Sequence, residues 1–241
     1  MTELSKLQQV IKREKRRRAM HLDILCDYDF AHDNGENPAA IQCAKNYADN
    51  FDSFARDGAG LFLYGTSGAG KTFLAAAIVN ELTDKGYRCR FTSMLTIMNT
   101  LSAIGYENRR DYLDQFSNAE LLVLDDFGIE TETSYSNNVL NGIVGKCYEK
   151  HVPVIVITPY PQDSLLKETG DSKRNVAIKR LRSRCFPYTV LMPVGRSAKK
   201  ARKKSENEAL IKDGVKPEQQ TPPFLRNRQR KKITNRRWTI P

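Results

Sequence analysis

Short apolar runs alternate with stretches of helical periodicity through the middle of this 241-residue chain. Three of the runs are apolar almost throughout, which is typical of parallel strands buried on both faces: 61–64, 121–124 and 154–158. Two further strands are predicted at 87–93, where apolar and polar residues alternate, and at 188–194. The intervening segments place apolar residues three and four positions apart and predict helices. This alternation predicts an α/β fold in which a parallel central sheet is flanked by helices.

The two ends of the chain differ from this middle part. Residues 3–26 have apolar residues at helical spacing, but the run KREKRRR at 12–18 makes the predicted helix strongly basic. Such a helix is poorly suited to a core, so residues 1–27 are predicted to form a basic N-terminal helix that binds a partner. Residues 200–241 are rich in Lys and Arg and poor in apolar residues, which predicts a disordered basic tail. Within it, the isolated Trp238 is interpreted as a short docking or base-stacking element.

The charge distribution supports this division of the chain. The net charge is +11, of which residues 1–20 contribute +5 and residues 197–241 contribute +10, so the part between them is mildly acidic. Strongly basic ends usually meet polyanions, with nucleic acid first and acidic protein surfaces second. The alternative interpretation is that both ends are solvated tails that mainly confer solubility.

The sequence gives no indication of membrane insertion, export or cysteine chemistry. No apolar run approaches the roughly 18 residues of a membrane-spanning helix, and the charged N-terminus lacks the apolar segment of a signal peptide. Five cysteines are scattered without a CxxC pair, which fits reduced thiols and indicates neither a disulfide framework nor a zinc site. We therefore expect a cytoplasmic protein that does not bind membranes.

The candidate chemistry is centred on the segment LFLYGTSGAGKT at 61–72. Its last eight residues match the P-loop pattern G-x-x-x-x-G-K-[ST] between a predicted strand and a predicted helix: Gly65, Thr66, Ser67, Gly68, Ala69, Gly70, Lys71 and Thr72. The glycines let backbone N–H groups converge on an anion, and the start of the helix adds its dipole. We expect Lys71 to reach the β- and γ-phosphates of ATP, and the Thr72 hydroxyl to coordinate Mg²⁺. A chance glycine turn before an ordinary helix is the alternative.

A pair of carboxylates follows the apolar run at 121–124. Asp125 and Asp126 stand where a parallel strand of an open α/β sheet would end, and such strand ends carry ligand chemistry. In a P-loop enzyme the first carboxylate holds Mg²⁺ and the second orients or activates the attacking water. Asp125 is therefore assigned to the metal and Asp126 to the general base. Taken alone, the same residues would indicate only a strand followed by a turn.

Three further residues are candidates for contact with the γ-phosphate. Thr158, at the end of the run 154–158, is placed to touch the γ-phosphate or the attacking water, although a threonine that caps a turn fits equally well. Arg180 and Arg184 lie one turn apart in a helix predicted at 176–184. They suit the arginine-finger role, within one subunit or across a subunit boundary. Surface ion pairs are the alternative for both arginines.

Together these segments resemble the DnaC/DnaI-type helicase loaders, AAA+ ATPases whose family also includes the IstB-type transposition ATPases. The resemblance runs through residues 28–199 and rests on DYDF, AAIQCAKNYADNF, the P-loop segment, LLVLDDFGIE, VPVIVIT and KRLRSRC. It implies an AAA+ ATPase domain over 28–199, ATP and Mg²⁺ as ligands, self-association through the ATP sites and contact with single-stranded DNA. For loaders it also implies delivery of a replicative helicase in a bacterium, by a protein of the host or of a phage.

The resemblance also assigns individual residues. The P-loop and the carboxylate pair match the two nucleotide-binding motifs of the family, and Arg184 matches the arginine finger, with Arg180 one turn before it. The family usually has Thr-Asn where this chain has Thr158-Pro159, and an ATP-contacting sensor arginine where this chain has Lys199. Because of these two departures, we expect hydrolysis to be slow or stimulated by a partner.

A DNA contact is expected between the second strand and the carboxylate pair. In the resembling AAA+ initiators and loaders this region carries additional helices. Here it contains Tyr106, Arg109 and Arg110, a mixture of aromatic and guanidinium groups that suits stacking on single-stranded bases. An ordinary exposed helix is the alternative interpretation.

The leading hypothesis is an ATP-dependent helicase loader in DNA replication, with a replicative DNA helicase, single-stranded DNA and further copies of itself as partners. An IstB-type ATPase that regulates a DNA transposase would share every motif named above. A nucleotide-gated DNA-binding scaffold with little hydrolysis is a third hypothesis. The segments DYDF and NPAAIQCAKNYADNF favour the loader, because they are closer in character to that part of the family.

Overall fold

The computed structural model describes residues 3–165 and 173–192, together with positions 202, 203, 205 and 207. The chain divides into two compact units, residues 1–193 and residues 194–241. The four described positions of the second unit are helical and exposed. The rest of the predicted disordered tail, including Trp238, lies outside the described residues, as does Lys199.

A five-stranded sheet forms the centre of the first unit. Its strands are Gly60–Tyr64 (β1), Cys89–Ser93 (β2), Leu121–Asp125 (β3), Val154–Thr158 (β4) and Cys185–Thr189 (β5). All pairings are parallel, and the strand order is β2-β3-β4-β1-β5. Parallel neighbours need crossover connections, and helices supply them. The predicted α/β fold with a parallel central sheet is confirmed.

Eight α-helices surround the sheet in the described part of the chain. They are Glu3–Ala19 (α1), Pro38–Asp49 (α2), Phe51–Asp57 (α3), Lys71–Lys85 (α4), Met94–Ala103 (α5), Arg109–Ser117 (α6), Ser134–Glu149 (α7) and Lys173–Arg184 (α8). Short 3-10 helices occupy Asp23–Asp27, Phe30–His32, Tyr106–Asn108 and Gln162–Leu165. None of these helices combines the length and the hydrophobicity that crossing a bilayer requires.

Helices cover both faces of the sheet, and the side chains of each strand alternate between these two faces. Leu61, Leu63 and Val123 point to the face that α2 and α4 cover, and they belong to one apolar cluster. Phe62 and Leu122 point to the other face, where they pack with residues of α5, α7 and α8. Burial on both faces explains why β1, β3 and β4 are apolar almost without interruption.

The last strand differs from the prediction at 188–194. β5 runs from Cys185 to Thr189 and follows α8 without a loop. It pairs in parallel with β1, beginning with Gly60↔Cys185. Pro187 lies within β5, and β5 is an edge strand, where a residue without an N–H group is tolerated.

The N-terminal helix is also shorter than the predicted helix 3–26. α1 ends at Ala19, and Met20 then forms a parallel bridge with Phe91 of β2. The next residues form the 3-10 helix Asp23–Asp27, which buries Leu25. The apolar spacing that predicted one long helix therefore comes from two elements, α1 and a 3-10 helix whose Leu25 packs in the core.

The expectation that this basic helix does not suit a core is wrong at Arg16. This residue is 7% exposed and donates from Nε and Nη2 to the two carboxylate oxygens of Asp84 in α4, at 3.1 and 2.5 Å. Its Nη1 donates to the carbonyl oxygen of Cys26 at 2.9 Å. A guanidinium can be buried when a carboxylate neutralises it and its N–H groups are bonded. The partner-binding role of residues 1–27 stays a prediction.

Candidate nucleotide-binding site

The P-loop lies at the carboxyl end of β1 and leads directly into α4. Gly65 has a φ of 144°, and a Cβ there would lie 2.3 Å from the carbonyl oxygen of Val190, so only glycine fits. Gly70 precedes α4 with a φ of 101° and without a side-chain cap, which leaves the first N–H groups of the helix directed at the loop. Ser67 is exposed at the tip and Ala69 is buried beneath it. The loop and the start of the helix form a cradle of the kind that binds phosphate.

Lys71 is folded back onto this loop. Its Nζ donates to the carbonyl oxygens of Gly65 and Thr66, at 2.6 and 3.0 Å. Burial lowers the pKa of Lys71, and the charges of Asp125 and Asp126 act against that shift. Because an ammonium group bonds an ionised acceptor more strongly than a carbonyl, a phosphate in the cradle would replace these two contacts.

Asp125 ends β3 beside the first turn of α4. The Thr72 hydroxyl donates to Asp125 Oδ1 at 3.5 Å, and the N–H of Asp126 donates to the same oxygen at 2.8 Å. Burial raises the pKa of Asp125 to about 6, and the neighbouring charge of Asp126 adds to this effect. A hydroxyl and a carboxylate side by side suit Mg²⁺, which commonly takes one or two carboxylates together with phosphate oxygens. The donor set therefore fits the ion that accompanies ATP.

Asp126 stands next to this pair in an unusual backbone conformation. Its φ of 54° lies in the left-handed region, where Asp and Asn are the least disfavoured side chains after glycine. The residue is exposed, and its charge acts on Lys71 and on His21, which follows α1. An exposed carboxylate beside the cradle is available to accept a proton from a water molecule. Its role as the base stays a prediction.

Thr158 ends β4, between the strand that carries the P-loop and the strand that carries the carboxylates. It pairs with Tyr64 in the sheet and is 0% exposed. Its Oγ1 accepts a hydrogen bond from the N–H of Tyr160 at 3.2 Å, so the hydroxyl caps the turn after the strand. A hydroxyl that accepts one bond can still donate another, and contact with a γ-phosphate stays a prediction.

Arg180 and Arg184 lie at the opposite edge of the sheet from the P-loop. α8 runs into β5, whose first residue pairs with Gly60 at the start of β1. Arg184 donates to the carbonyl oxygen of Tyr148 at 2.6 Å, and its guanidinium lies 3.8 Å from the centroid of that ring. The Arg180 guanidinium lies 5.9 Å from the same ring. The length of β1, about 13 Å at roughly 3.3 Å per residue, separates Arg184 from the P-loop of its own chain.

The residues predicted to contact DNA lie on the 3-10 helix Tyr106–Asn108 and at the start of α6. Tyr106 is 84% exposed, and the Arg109 guanidinium lies 5.9 Å from the centroid of its ring. The Arg110 side chain is 88% exposed and lies 3.8 Å from Asp114. An exposed ring beside a guanidinium is available for stacking on a base. Contact with DNA stays a prediction.

Two buried arginines were missed in the sequence. Arg16 fastens α1 to the P-loop helix through Asp84, and Arg174, in the first turn of α8, donates to Glu130 at 2.7 Å. Each arginine is paired with a carboxylate far away in the chain, so no local spacing connects the partners. Their position in basic runs is the only sequence signal, and it does not distinguish a buried arginine from an exposed one.

A family model described as IstB-like ATP binding protein matches residues 4–204 of the chain. The chain belongs to this family. The IstB-like protein also resembles the replicative helicase loader DnaC of Escherichia coli (strain K12), with 29% identity over 135 residues, which are 55% of this chain and 54% of DnaC. A putative insertion sequence ATP-binding protein of Sinorhizobium fredii is 33% identical over 103 residues, 41% of this chain and 34% of that protein. The match therefore spans about half the length of DnaC, and less of the second relative.

A crystal structure of DnaI superposes on the IstB-like protein with a TM-score of 0.61 and 21% identity, over 76% of this chain and 99% of that one. At this identity the likeness shows the fold, a parallel α/β sheet with a P-loop at the carboxyl end of β1. Family and fold together identify the IstB-like protein as a nucleotide-binding protein of the P-loop ATPase type.

Proposed function

We propose that this IstB-like protein is an ATP-dependent helicase loader in DNA replication. It binds ATP with Mg²⁺, contacts single-stranded DNA and delivers a replicative DNA helicase. The observation that carries the proposal is a complete nucleotide cradle in a chain that resembles a protein named as a replicative helicase loader over 135 residues. Because the match covers about half of that relative, the helicase and the single-stranded DNA are proposed as partners of this chain.

In this proposal the carboxyl edge of the sheet holds the nucleotide. The P-loop amides and Lys71 bind the β- and γ-phosphates, and the oxygens of Thr72 and Asp125 hold Mg²⁺, which neutralises phosphate charge when bound. Asp126 takes a proton from the attacking water as the water oxygen bonds to the γ-phosphorus. The bond from that phosphorus to the bridging β–γ oxygen breaks, and ADP leaves. The support for these roles is the grouping of all four side chains around one loop.

Arg184 completes the ATP site of a neighbouring copy. Its guanidinium is held by Tyr148 at the amino edge of the sheet, across the length of β1 from its own P-loop. An arginine in that place meets a γ-phosphate only when a second copy is present, which supports ATP-dependent self-association. Arg180, one turn earlier on the same ring, is proposed to contact the same neighbouring nucleotide.

Hydrolysis is proposed to be slow until a partner stimulates it. The Thr158 hydroxyl is already bonded to the turn that follows it, and Pro159 has no amide side chain with which to bind a phosphate or a water molecule. ATP binding rather than turnover would then be the main switch. A basal turnover on the order of 10 s⁻¹ or more, typical of efficient enzymes, would contradict this part of the proposal.

The helicase is proposed to dock on α1. Leu7, Val10 and Ile11 of this basic helix are 57%, 65% and 48% exposed, and they lie three and four positions apart on one face. An exposed apolar stripe among positive charges is typical of a helix that packs against another protein. Single-stranded DNA is proposed to contact Tyr106, Arg109 and Arg110.

Capture of the purified replicative helicase of the host bacterium on the immobilised full chain tests this function. We expect the helicase to be retained with ATP and Mg²⁺, and less of it to be retained by the Lys71→Ala variant, which should not bind ATP. Retention that is equal with and without ATP would contradict a nucleotide-dependent loader. Failure of the wild-type chain to retain the helicase would contradict the loader itself.

A second candidate is an IstB-type ATPase that regulates a DNA transposase. The family description and the insertion sequence relative at 33% identity favour it. The same capture experiment separates the two functions when the transposase encoded beside the gene, where there is one, replaces the helicase. Retention of the transposase together with failure to retain the helicase would establish this second function.

A further inference from the structure

A buried cation of α8 contacts the loop that follows Asp126. Arg174 lies in the first turn of α8, and its side chain is 4% exposed. Its Nη1 donates to Oε1 of Glu130 at 2.7 Å, and the Glu130 side chain is 9% exposed. Its Nε lies 3.2 Å from Oε1 of Glu132, in an ion pair that lacks hydrogen-bond geometry. A buried guanidinium needs such partners, and its planar fork fixes the segments that supply them relative to the helix.

The position of the two carboxylates makes the arrangement stronger than an isolated ion pair. Glu130 and Glu132 lie at the amino end of α8, where the helix dipole favours negative charge. The guanidinium also lies 5.1 Å from the centroid of the Phe127 ring, which is fully buried. One side chain therefore contacts a ring and two carboxylates of the loop that follows β3.

Glu130, the partner of Arg174, is also bonded to the backbone next to Asp126. The second oxygen of Glu130, Oε2, accepts a hydrogen bond from the N–H of Gly128 at 2.8 Å. The N–H of Phe127 donates to the carbonyl oxygen of Ile157 in β4 at 2.8 Å. Phe127 and Gly128 directly follow Asp126, whose φ of 54° is costly for a side chain with a Cβ. A residue keeps such a conformation only where its surroundings fix it.

We infer that Arg174 is a positioning residue of the ATP site: with Glu130 it fixes the 126–128 turn and so holds the Asp126 carboxylate where it activates water. Arg174 contacts neither the P-loop nor the oxygens of Thr72 and Asp125 among its described interactions, so it acts on hydrolysis and not on nucleotide binding. The inference rests on the proposed function for the hydrolytic step.

The main test variant combines Arg174→Met with Glu130→Gln. Both charges are removed together because removal of only one would leave the other buried and uncompensated. We expect kcat for ATP to fall about tenfold or more, since a misplaced base loses most of its effect. We expect the affinity for ATP to stay within about threefold, since the groups that bind the phosphates are unchanged. Lys179→Met, which removes an exposed charge from the same helix, should leave both values unchanged.

Combination with Asp126→Asn separates positioning from a general structural role. If Arg174 acts through Asp126, adding the double change to Asp126→Asn should slow hydrolysis by less than about twofold further, because coupled residues are not additive. An equal additional loss with and without Asp126 would overturn the inference. So would a variant whose kcat is the same as that of the wild type.

Hydrogen exchange supplies a readout that does not need hydrolysis. In the nucleotide-free full chain we expect the Phe127 amide to exchange about tenfold faster or more in the double variant, while the amides of α4 keep their protection. If the double variant does not unfold cooperatively, Arg174→Lys, which keeps the charge but loses the planar fork, replaces it with the same expectations. Unchanged exchange at Phe127 would overturn the inference.

If the wild-type chain binds no ATP, the proposed function fails, and this exchange measurement alone decides the role of Arg174 in fixing the turn.

Discussion

The two edges of the central sheet differ in whether the side chains of one chain come together there as a nucleotide site. At the carboxyl edge, Lys71, Thr72, Asp125 and Asp126 converge on one loop and already contact one another or its backbone. At the amino edge, Arg184 packs against a tyrosine ring and a carbonyl oxygen, and no P-loop of its own chain is within reach. In the proposed function, the carboxyl edge binds a nucleotide within a single chain, whereas the arginines of the amino edge act on the nucleotide of a second chain. The proposed function therefore separates ATP binding, which needs one copy, from hydrolysis, which needs two.

Removal of the arginine at the amino edge is the strongest way to test this separation. We expect Arg184→Ala to lower kcat about 10³-fold, the usual contribution of an arginine finger. ATP affinity should change little, because the P-loop of the same chain is intact. Steady-state hydrolysis and equilibrium binding of a fluorescent ATP analogue measure the two effects, and Lys179→Ala on the exposed side of α8 is the matched control.

Mixing two inactive variants decides whether the arginine acts between chains. In a mixture of Arg184→Ala with Lys71→Ala, some sites combine the intact P-loop of one variant with the intact Arg184 of the other. We expect part of the activity to return in the mixture, although each variant alone is inactive. A mixture that stays inactive, while both variants still self-associate, would contradict an arginine finger between copies.

At the carboxyl edge the corresponding substitution is Lys71→Ala. Its ammonium makes two short hydrogen bonds to the loop, which a phosphate would replace. We expect ATP affinity to fall about 100-fold or more, since charge-assisted hydrogen bonds to phosphate contribute roughly 1.5–3 kcal/mol each. Thermal unfolding without nucleotide should shift only slightly. Unchanged nucleotide affinity would show that the P-loop is not the binding site.

The carboxyl edge could be predicted because its signals are local. The P-loop is a contiguous motif, and the two carboxylates stand at the end of an apolar run, so pattern and spacing placed them correctly. The apolar runs predicted β1, β3 and β4, because strands buried on both faces have few polar positions. The alternation of apolar and polar residues predicted β2. β5 was placed three residues late; it is an edge strand with exposed positions and a proline, and it lacks the apolar run that marks the inner strands.

The remaining features depend on partners that the sequence does not bring together. Arg174 pairs with Glu130 across 44 positions, and Arg16 pairs with Asp84 across 68. Buried arginines are rare, so a basic run is naturally interpreted as exposed. The hydroxyl of Thr158 illustrates another limit, since a turn cap and a phosphate contact require the same residue at the same strand end.

The buried carboxylate gives a prediction of moderate size for stability. Burial raises the pKa of Asp125 from 3.8 to about 6, so the folded chain binds this proton more tightly than the unfolded chain. The cost of ionisation is therefore absent below about pH 3.8 and fully present above about pH 6, where it amounts to about 3 kcal/mol. We expect Asp125→Asn to raise the free energy of unfolding of the nucleotide-free protein by about 1–3 kcal/mol at pH 7.

Urea unfolding at pH 7 and at pH 4.5 measures this effect. The gain in the free energy of unfolding from Asp125→Asn should shrink at pH 4.5, where the wild-type carboxyl is protonated and therefore also uncharged. Binding of ATP with Mg²⁺ should be weaker in the variant than in the wild type. Asp126→Asn is the control, because that residue is exposed and Asn also tolerates a left-handed φ. A variant at position 125 that is less stable than the wild type at pH 7 would show that this carboxylate is stabilised by its surroundings.

The smallest expected effect concerns neither edge but the basic tail. Removal of residues 200–241 takes away most of the net charge of +10 that residues 197–241 carry. ATP binding and hydrolysis should not change, because both depend on the two sheet edges. Affinity for single-stranded DNA should fall by about tenfold or less at low salt, and the dependence of log K on log salt should become shallower by about 0.7 for each phosphate that the truncated chain no longer neutralises. A truncated chain with an unchanged salt slope would mean that the tail contributes solubility or protein docking, and that any DNA contact is made by the first unit.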